Sequence, residues 1–184
     1  MIRRNSGKKR LLDPATLERA ADEIAELAER ANINVALTGG FALQLYGSQR
    51  LTGDIDFVAE AVIPGLLEIR RLSFGGVATE TPSGVPVDLI VRDDDVADLY
   101  EEALRVAHLE EELGYRVIVP EYLAAMKLYA GRRRDLDDLA YLVTSESLDF
   151  KRARFIIRKH LGVYAVKDFD AFVAEARWQK ERDE

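Results

Sequence analysis

The chain has 184 residues, a formal net charge of -7 and a calculated pI of about 5.0. Its length suits one domain with a hydrophobic core, and its acidity argues against nucleic-acid binding by overall charge, although local basic patches stay open. It has no cysteine, which excludes disulfides, thiolate zinc sites and cysteine nucleophiles. No apolar run approaches a membrane span and no apolar signal core follows the basic first residues, so we expect a cytoplasmic protein without a membrane segment.

The first third of the chain is predicted to alternate helices and strands. Residues 1–12 are basic with little to bury and predict a flexible arm. Asp13-Pro14 predicts the start of a helix that apolar residues at helical spacing continue to about residue 31. A strand at 34–38, a short helix at 40–46 and a strand at 55–58, paired with the first, follow.

The remainder is predicted to complete a mixed sheet and then become helical. The expected strands and helices, in chain order, are a hairpin of 75–79 with 85–91, a helix from 93 to about 107, a strand at 115–119, and helices at 121–130, 135–143, 151–161 and 168–180. We therefore expect an α+β fold with a basic arm at 1–12, a mixed-sheet core at 13–120, and a helical segment at 121–184 packed on that core.

Two glycines and two aspartates form the most informative pattern. Gly39 and Gly40 follow the predicted strand, where backbone amides of a turn entering a helix can approach a polyphosphate closely. Asp54 and Asp56 lie two residues apart on the next strand, so their side chains share one face. Two adjacent anions are costly unless a cation joins them, which predicts a Mg²⁺ (or Mn²⁺) site opposite the glycines.

A third carboxylate is predicted to join this pair. Asp88 interrupts the apolar strand 85–91, and a charged residue among apolar neighbours needs a partner such as a shared metal or a substrate hydroxyl. Three carboxylates can hold two Mg²⁺ ions, and Asp88 could also help to deprotonate an attacking hydroxyl. The reaction indicated is in-line displacement at the α-phosphate of a nucleoside triphosphate, with release of pyrophosphate.

With these residues in place, the chain resembles the DNA polymerase β-like nucleotidyltransferase superfamily. Within it, the resemblance is to small bacterial and archaeal members, including AbiEii-like toxins of toxin-antitoxin pairs and minimal nucleotidyltransferases. The matching residues are Gly39-Gly40, Tyr46-Gly47, Arg50, Thr52, Asp54 to Phe57, Pro120 to Leu128 and Arg134 to Leu139. The resemblance covers roughly residues 34–142 and implies a nucleotidyltransferase fold of mixed strands flanked by helices.

The resemblance also implies roles for individual residues. Asp54, Asp56 and Asp88 match the metal-binding carboxylates, and Lys127 matches a helical lysine expected near the triphosphate. Gly40 departs from the serine of many superfamily members, which removes one phosphate contact and mildly favours the toxin-like branch.

Four charged residues around this core have more than one interpretation. Asp135 and Asp138 match acids of the toxin-like branch, but they could instead cap their helix or pair with residues 132–134. Arg50 could reach a substrate phosphate or form a surface ion pair with Glu60 or Asp54. Lys127 could bind nucleotide or extend its stem over the core with its charge in water.

The predicted function is an Mg²⁺-dependent nucleotidyltransferase that uses a nucleoside triphosphate. By resemblance, the acceptor is the 3′ end of a tRNA or a partner protein, with an aminoglycoside less favoured, and an antitoxin is a further expected partner. The alternative is a non-catalytic module that binds a nucleotide or a partner on the same scaffold. The basic residues of the predicted helix 151–161 allow either an RNA backbone contact or a solvated helix surface.

Overall fold

The computed structural model describes residues 11–183. The expected α+β architecture is confirmed: a mixed seven-stranded sheet is flanked by helices, and the chain ends in helices. Residues 1–10 of the predicted basic arm lie outside the described residues.

The elements follow one another with short connections. The helices are α1 (Pro14–Ala31), α2 (Gly39–Leu45), α3 (Ala97–Arg105), α4 (Pro120–Ala130), α5 (Arg133–Thr144) and α6 (Phe150–Asp183). The strands are β1 (Val35–Thr38), β2 (Ile55–Ala59), β3 (Arg70–Arg71), β4 (Val77–Glu80), β5 (Pro86–Ile90), β6 (His108–Glu110) and β7 (Tyr115–Val117).

Local signals define α1 as predicted. The side chain of Asp13 accepts a hydrogen bond from the backbone N–H of Thr16 at 3.0 Å, and Pro14 occupies the first helical position. Asn32 ends the helix in the left-handed conformation, with φ of 54°. The apolar stripe that runs from Leu17 to Ile24 is fully buried, so this helix covers one side of the core.

The strand order is β3-β4-β5-β2-β1-β7-β6. The pairs β2–β5 and β1–β7 are parallel, and the neighbouring pairs are antiparallel. Alternation places Ile55 and Phe57 of β2, with Leu89 of β5, in the buried core. The residues between them, Asp56 and Asp88, therefore share the other face of the sheet.

The predicted start of α3 at residue 93 is wrong, because the helix begins at Ala97. Asp94 instead belongs to a turn: its backbone oxygen accepts from the N–H of Ala97 at 2.8 Å, and its side chain binds Arg92. A run of acidic residues is typical of the first turn of a helix, but here the side chain of Asp94 accepts a hydrogen bond from Arg92 instead.

Two short strands, β3 and β6, have bounds that the sequence does not predict: it indicates further strands between residues 66 and 91 but none specifically at 70–71, and it indicates none at 108–110. β3 has two residues, both exposed, and β6 has three, two of them exposed, so neither carries the apolar alternation that signals a strand. The last two predicted helices are confirmed as two helical segments of α6, because the helical backbone is interrupted at Gly162, where φ is 90° and ψ is 176°. The second segment begins soon after Gly162 rather than at residue 168. Within α6, Phe169 and Val173 are buried in the core, whereas Trp178 is 55% exposed.

No helix in the described part of the chain is long and apolar enough to cross a membrane. α4 is instead apolar on nearly every side, because it packs against α3, α5 and α6. The residues at the centre of this helix, from Leu123 to Met126, are buried. The hydroxyl of Thr38, at the end of β1, lies 4.0 Å from the sulfur of Met126. α4 thus lies next to the carboxyl end of β1, where the glycine turn begins.

Candidate active site

Sheet register brings the three predicted acids together. Thr38 of β1 lies directly opposite Asp56 of β2, and Asp56 lies opposite Asp88 of β5. Directly opposed residues share a face of the sheet, and Asp54, two residues before Asp56, lies on that face too. The convergence predicted from the sequence is therefore a consequence of the parallel pairing of β2 with β5.

The three carboxylates form a compact cluster. One oxygen from each of Asp54, Asp56 and Asp88 lies within 4.8 Å of the others, and all three residues are partly buried. The hydroxyl of Thr52 donates to Oδ1 of Asp54 at 3.0 Å, and the guanidinium of Arg70 lies 3.8 Å from Oδ1 of Asp88. Oxygen ligands in such an arrangement suit a divalent cation of the Mg²⁺ or Mn²⁺ type.

Gly39 belongs to the same site because the carboxylate of Asp56 occupies the space of its missing side chain. Its φ is +66°, and a Cβ atom there would lie 1.9 Å from Oδ2 of Asp56. Any other residue would meet both backbone strain and a direct clash. The glycine thus permits the carboxylate to lie against the turn that connects β1 with α2.

Gly40 is enclosed by a different set of side chains. A Cβ atom at this position would lie 2.8 Å from a guanidinium nitrogen of Arg50 and 3.1 Å from the side chain of Thr52. This crowding is a physical reason for glycine where many members of the resembled superfamily carry serine. Both Gly39 and Gly40 are buried.

Lys127 and the two acids after it form a buried ion network between α4 and α5. Its ammonium nitrogen lies 3.0 Å from Oδ1 of Asp135 and 2.7 Å from Oδ2 of Asp138. The two aspartate side chains are 5% and 1% exposed, and that of Lys127 is 13% exposed. Lys127 therefore does not extend its charge into water, which was the alternative interpretation.

Arg50 joins this network through Asp138. A terminal nitrogen of its guanidinium donates a hydrogen bond to Oδ2 at 3.1 Å, and Nε lies at an ion-pair distance of 2.6 Å from Oδ1. The ion-pair alternative named Glu60 or Asp54 as the partner, and the structure shows Asp138 as a partner that the sequence did not suggest. The pair ties the loop before β2 to α5, which sequence distance alone could not reveal.

Arg132 was considered only as a partner for the acids of α5, and it also interacts electrostatically with Asp56 of the aspartate cluster. Its Nε lies 2.6 Å from Oδ2 of Asp135. This hydrogen bond raises the pKa of Arg132, and the negative charge of Asp56 adds to the shift. Burial alone would raise the pKa of Asp135, but the bonds from Arg132 and Lys127 outweigh burial and hold that pKa below its ordinary value.

An aromatic and arginine group adjoins Arg132, and the sequence analysis did not identify it. The guanidinium of Arg92 lies 5.0 to 5.8 Å from the ring centres of Phe74, Tyr100 and Tyr129, and Arg132 lies 5.9 Å from the ring of Phe74. These distances are in the range of cation–π contacts. Phe74 follows a two-residue strand and has no local motif, so only the tertiary structure reveals its position.

The basic helix residues lie apart from the acid cluster and are largely compensated. Lys159 contacts both carboxylate oxygens of Glu102 at 2.8 Å, and Arg154 pairs with Asp170 at 2.6 Å. Glu102 and His160 line a cleft of about 710 Å³ at the far end of β2, and none of the three clustered aspartates lines it. These pairs favour the solvated-surface interpretation over an RNA contact.

Comparisons with known proteins give similarity of architecture. No protein-family model and no curated protein gives a significant match to the sequence. Among solved structures, the chain is similar to an antigenic nucleotidyltransferase-like protein from Paracoccidioides brasiliensis, at 17% identity and a TM-score of 0.48, over 86% of this chain and 95% of that chain. It is also similar to the antibiotic-resistance factor ANT(2'')-Ia, at 17% identity and a TM-score of 0.46, over 93% and 98%. At these values the likeness concerns the fold and carries no argument about activity.

Proposed function

We propose that this protein is an Mg²⁺-dependent nucleotidyltransferase that transfers a nucleoside monophosphate from a nucleoside triphosphate to an acceptor hydroxyl. The observation that carries the proposal is the group of three aspartates on one sheet face, with an oxygen from each within 4.8 Å of the others. Carboxylate oxygens are the ligands that Mg²⁺ and Mn²⁺ prefer, so a divalent cation fits among the three side chains.

The carboxylates of Asp54, Asp56 and Asp88 would hold one or two divalent cations. Such ions, when bound, neutralise triphosphate charge and lower the pKa of an attacking hydroxyl. A triphosphate bound through cations at Asp56 would lie beside the turn of Gly39 and Gly40, because the carboxylate of Asp56 lies against Gly39.

The cations near the triphosphate would come from the α4–α5 network. Lys127 and Arg50 are held by Asp138, and Lys127 also by Asp135, so the two acids set the positions of the basic groups. We assign the nucleotide-binding role to this set as a unit. Its geometry is fixed before substrate binds, which reduces the ordering cost of binding.

The proposed reaction balances without a further reactant. The acceptor oxygen forms a bond to the α-phosphorus, the bond between the α-phosphorus and the bridging oxygen breaks, and pyrophosphate leaves. Asp88, which of the three acids lies on the strand nearest the β3 edge of the sheet, would accept the proton of the hydroxyl.

The acceptor and the biological role extend this proposal. Following the sequence resemblance, the acceptor would be an RNA 3′ end or a protein hydroxyl, and the protein would act as the toxin of a toxin-antitoxin pair. Growth arrest on expression, abolished by Asp56→Asn, is the result expected for a toxin. Normal growth with active enzyme would contradict the toxin role and leave the transferase proposal intact.

The decisive experiment is label transfer. The protein is incubated with each α-labelled nucleoside triphosphate, Mg²⁺ or Mn²⁺, and total RNA or cell lysate, beside Asp56→Asn and the matched exposed control Asp137→Asn. Transfer by the parent and by Asp137→Asn, but not by Asp56→Asn, supports the proposal. Metal-dependent nucleotide binding without pyrophosphate release by any nucleotide would instead support the binding module.

A further inference from the structure

We propose that Arg70 is a specificity-determining residue that binds a phosphate of the acceptor next to the attacking hydroxyl. The inference rests on the proposed function and adds the chemical class of the acceptor: a hydroxyl with a phosphate close by. It also gives the side from which the acceptor approaches, the β3 edge of the sheet.

The first step is the position of Arg70 in the sheet register. Arg70 lies opposite Ala78 of β4, and Ala78 lies opposite Asp88 of β5, which lies opposite Asp56. These four residues form one row on one face of the sheet. Ala78 is the smallest of them, so the guanidinium of Arg70 reaches across it to within 3.8 Å of Oδ1 of Asp88.

The second step is that this contact leaves the arginine available. The side chain of Arg70 is 62% exposed and that of Asp88 is 22% exposed. An exposed ion pair at such a distance contributes little to stability. A guanidinium can donate two parallel hydrogen bonds to a phosphate, so an incoming phosphate can take the place of this contact.

The third step is that the row has two different ends. Beyond Asp56 it continues to Thr38, next to Gly39 and α4, where the proposal places the triphosphate. Beyond Asp88 it continues to Ala78 and Arg70 at the β3 edge. An attacking hydroxyl must face the α-phosphate from the side opposite the leaving pyrophosphate, which directs the acceptor to the Arg70 end.

The chain supplies a matched control for Arg70. Arg71 is its neighbour on β3, is 86% exposed and carries the same charge. It lies opposite Val77, whose row leads to Leu89 and the buried core, so it belongs to the other face of the sheet. Arg70 and Arg71 therefore differ in the face they occupy, while net charge and edge-strand composition change equally on substitution.

The experiment compares three acceptors at saturating nucleoside triphosphate. They are a short RNA with a free 3′ hydroxyl, a nucleoside 5′-monophosphate and the uncharged nucleoside. For Arg70→Gln we expect KM for the two phosphate-bearing acceptors to rise about 10-fold to 100-fold, the range of a hydrogen bond to a charged group. KM for the triphosphate and for the nucleoside should stay unchanged, and Arg70→Lys should recover part of the loss.

Two further readouts separate binding from a structural effect. The salt dependence of acceptor binding, measured by anisotropy of a labelled RNA, should weaken by about one unit of log–log slope in Arg70→Gln. Arg71→Gln should change neither KM nor slope. Use of the RNA but not of the monophosphate would assign the phosphate to a polynucleotide, and equal use of both would assign it to a mononucleotide acceptor.

Several outcomes would overturn the inference. If Arg70→Gln and Arg71→Gln change KM and the salt dependence equally, then Arg70 contributes only to the general positive charge of the surface. Transfer to a protein or an aminoglycoside that is indifferent to Arg70→Gln would also reject it while the transferase proposal stands. If the parent binds the RNA through Arg70 but releases no pyrophosphate, the proposed function fails and the phosphate site remains.

Discussion

Two groups of aspartates lie close together in this protein, and they differ in how their charge is compensated. Asp135 and Asp138 are nearly inaccessible, and basic nitrogens lie within 3.0 Å of both. Asp54, Asp56 and Asp88 are partly buried and lie within 4.8 Å of one another, and the ion pair of Asp88 with Arg70 spans 3.8 Å.

The difference distinguishes a buried ion-pair network from a candidate cation site. A buried aspartate with short contacts to lysine and arginine already has the partners that burial requires. Three carboxylates with an oxygen from each within 4.8 Å of the others form instead a set of oxygen donors that fits a divalent cation. The same residue type therefore stabilises the fold on α5 and, in the proposed function, binds metal on the sheet.

The largest expected effect is on stability, from the network. Asp138→Ala leaves Arg50 without this ion-pair partner and Lys127 with one of its two acids. Breaking a buried ion pair from one side typically costs about 3–5 kcal/mol of unfolding free energy. Urea denaturation measures it, with Asp137→Ala as the exposed control on the same helix, expected within about 0.5 kcal/mol of the parent. Equal losses in both variants would contradict the network's role.

The next largest expected effect is a loss of activity on substitution of an aspartate of the sheet. Asp56→Asn should reduce nucleotide transfer by about 10²- to 10³-fold, the scale of losing one group that stabilises transition-state charge. Unfolding free energy should change much less than in Asp138→Ala, because asparagine keeps the size and shape of the aspartate side chain. Rates are measured at saturating nucleotide and metal beside urea curves. If Asp56→Asn instead loses activity only because less of the protein is folded, then Asp56 has a structural role like that of Asp135 and Asp138.

Addition of a metal ion tests whether the aspartates of the sheet, unlike those of α5, bind a divalent cation. If the sheet acids bind Mn²⁺, then a concentration 100 times the dissociation constant stabilises the folded state by about 2.7 kcal/mol. Thermal unfolding with and without Mn²⁺ should show this shift in the parent and in Asp137→Asn. The shift should be absent from Asp56→Asn, and its persistence there would locate the bound ion elsewhere.

A pair of glycines gives a smaller and sharper test. Gly39 and Gly131 both have left-handed backbones, with φ of +66° and +59°, but a Cβ at Gly131 meets nothing closer than 3.8 Å. Each alanine substitution should cost about 1–2 kcal/mol of stability from the backbone alone. Gly39→Ala must also displace the carboxylate of Asp56, so it alone should abolish Mn²⁺-dependent stabilisation. Loss of that stabilisation in Gly131→Ala would contradict the assigned clash.

The smallest effect is the pH dependence of the network. The folded-state pKa of Asp135 is below the ordinary value of 3.8. Its contribution to stability is therefore complete above that ordinary pKa and is lost as the pH falls through the lower folded-state pKa. Asp135→Asn should flatten the acid limb of unfolding free energy against pH relative to the parent. An unchanged acid limb would mean that other carboxylates control acid unfolding.

Much of the fold follows from local sequence signals. α1 has its cap, its proline and its apolar stripe in adjacent residues, and the α+β order of elements follows from similar patterns. The predicted start of α3 is wrong because Asp94 binds Arg92 across a turn. Local signals for a helix start do not reveal this contact. The bounds of β3 could not be predicted, because its two residues are exposed arginines and show no alternation of apolar and polar side chains. One of them, Arg70, nevertheless lies 3.8 Å from Asp88.

The sequence by itself determined the acid trio, the glycine turn and the charged residues of α4 and α5, because spacing along a strand or helix sets which side chains share a face. Only the tertiary structure decided which charges meet. The β2–β5 register places Asp56 opposite Asp88, and the packing of α5 against the loop before β2 pairs Arg50 with Asp138. Contacts between residues 88 positions apart depend on how the whole chain folds, and local patterns carry no record of them.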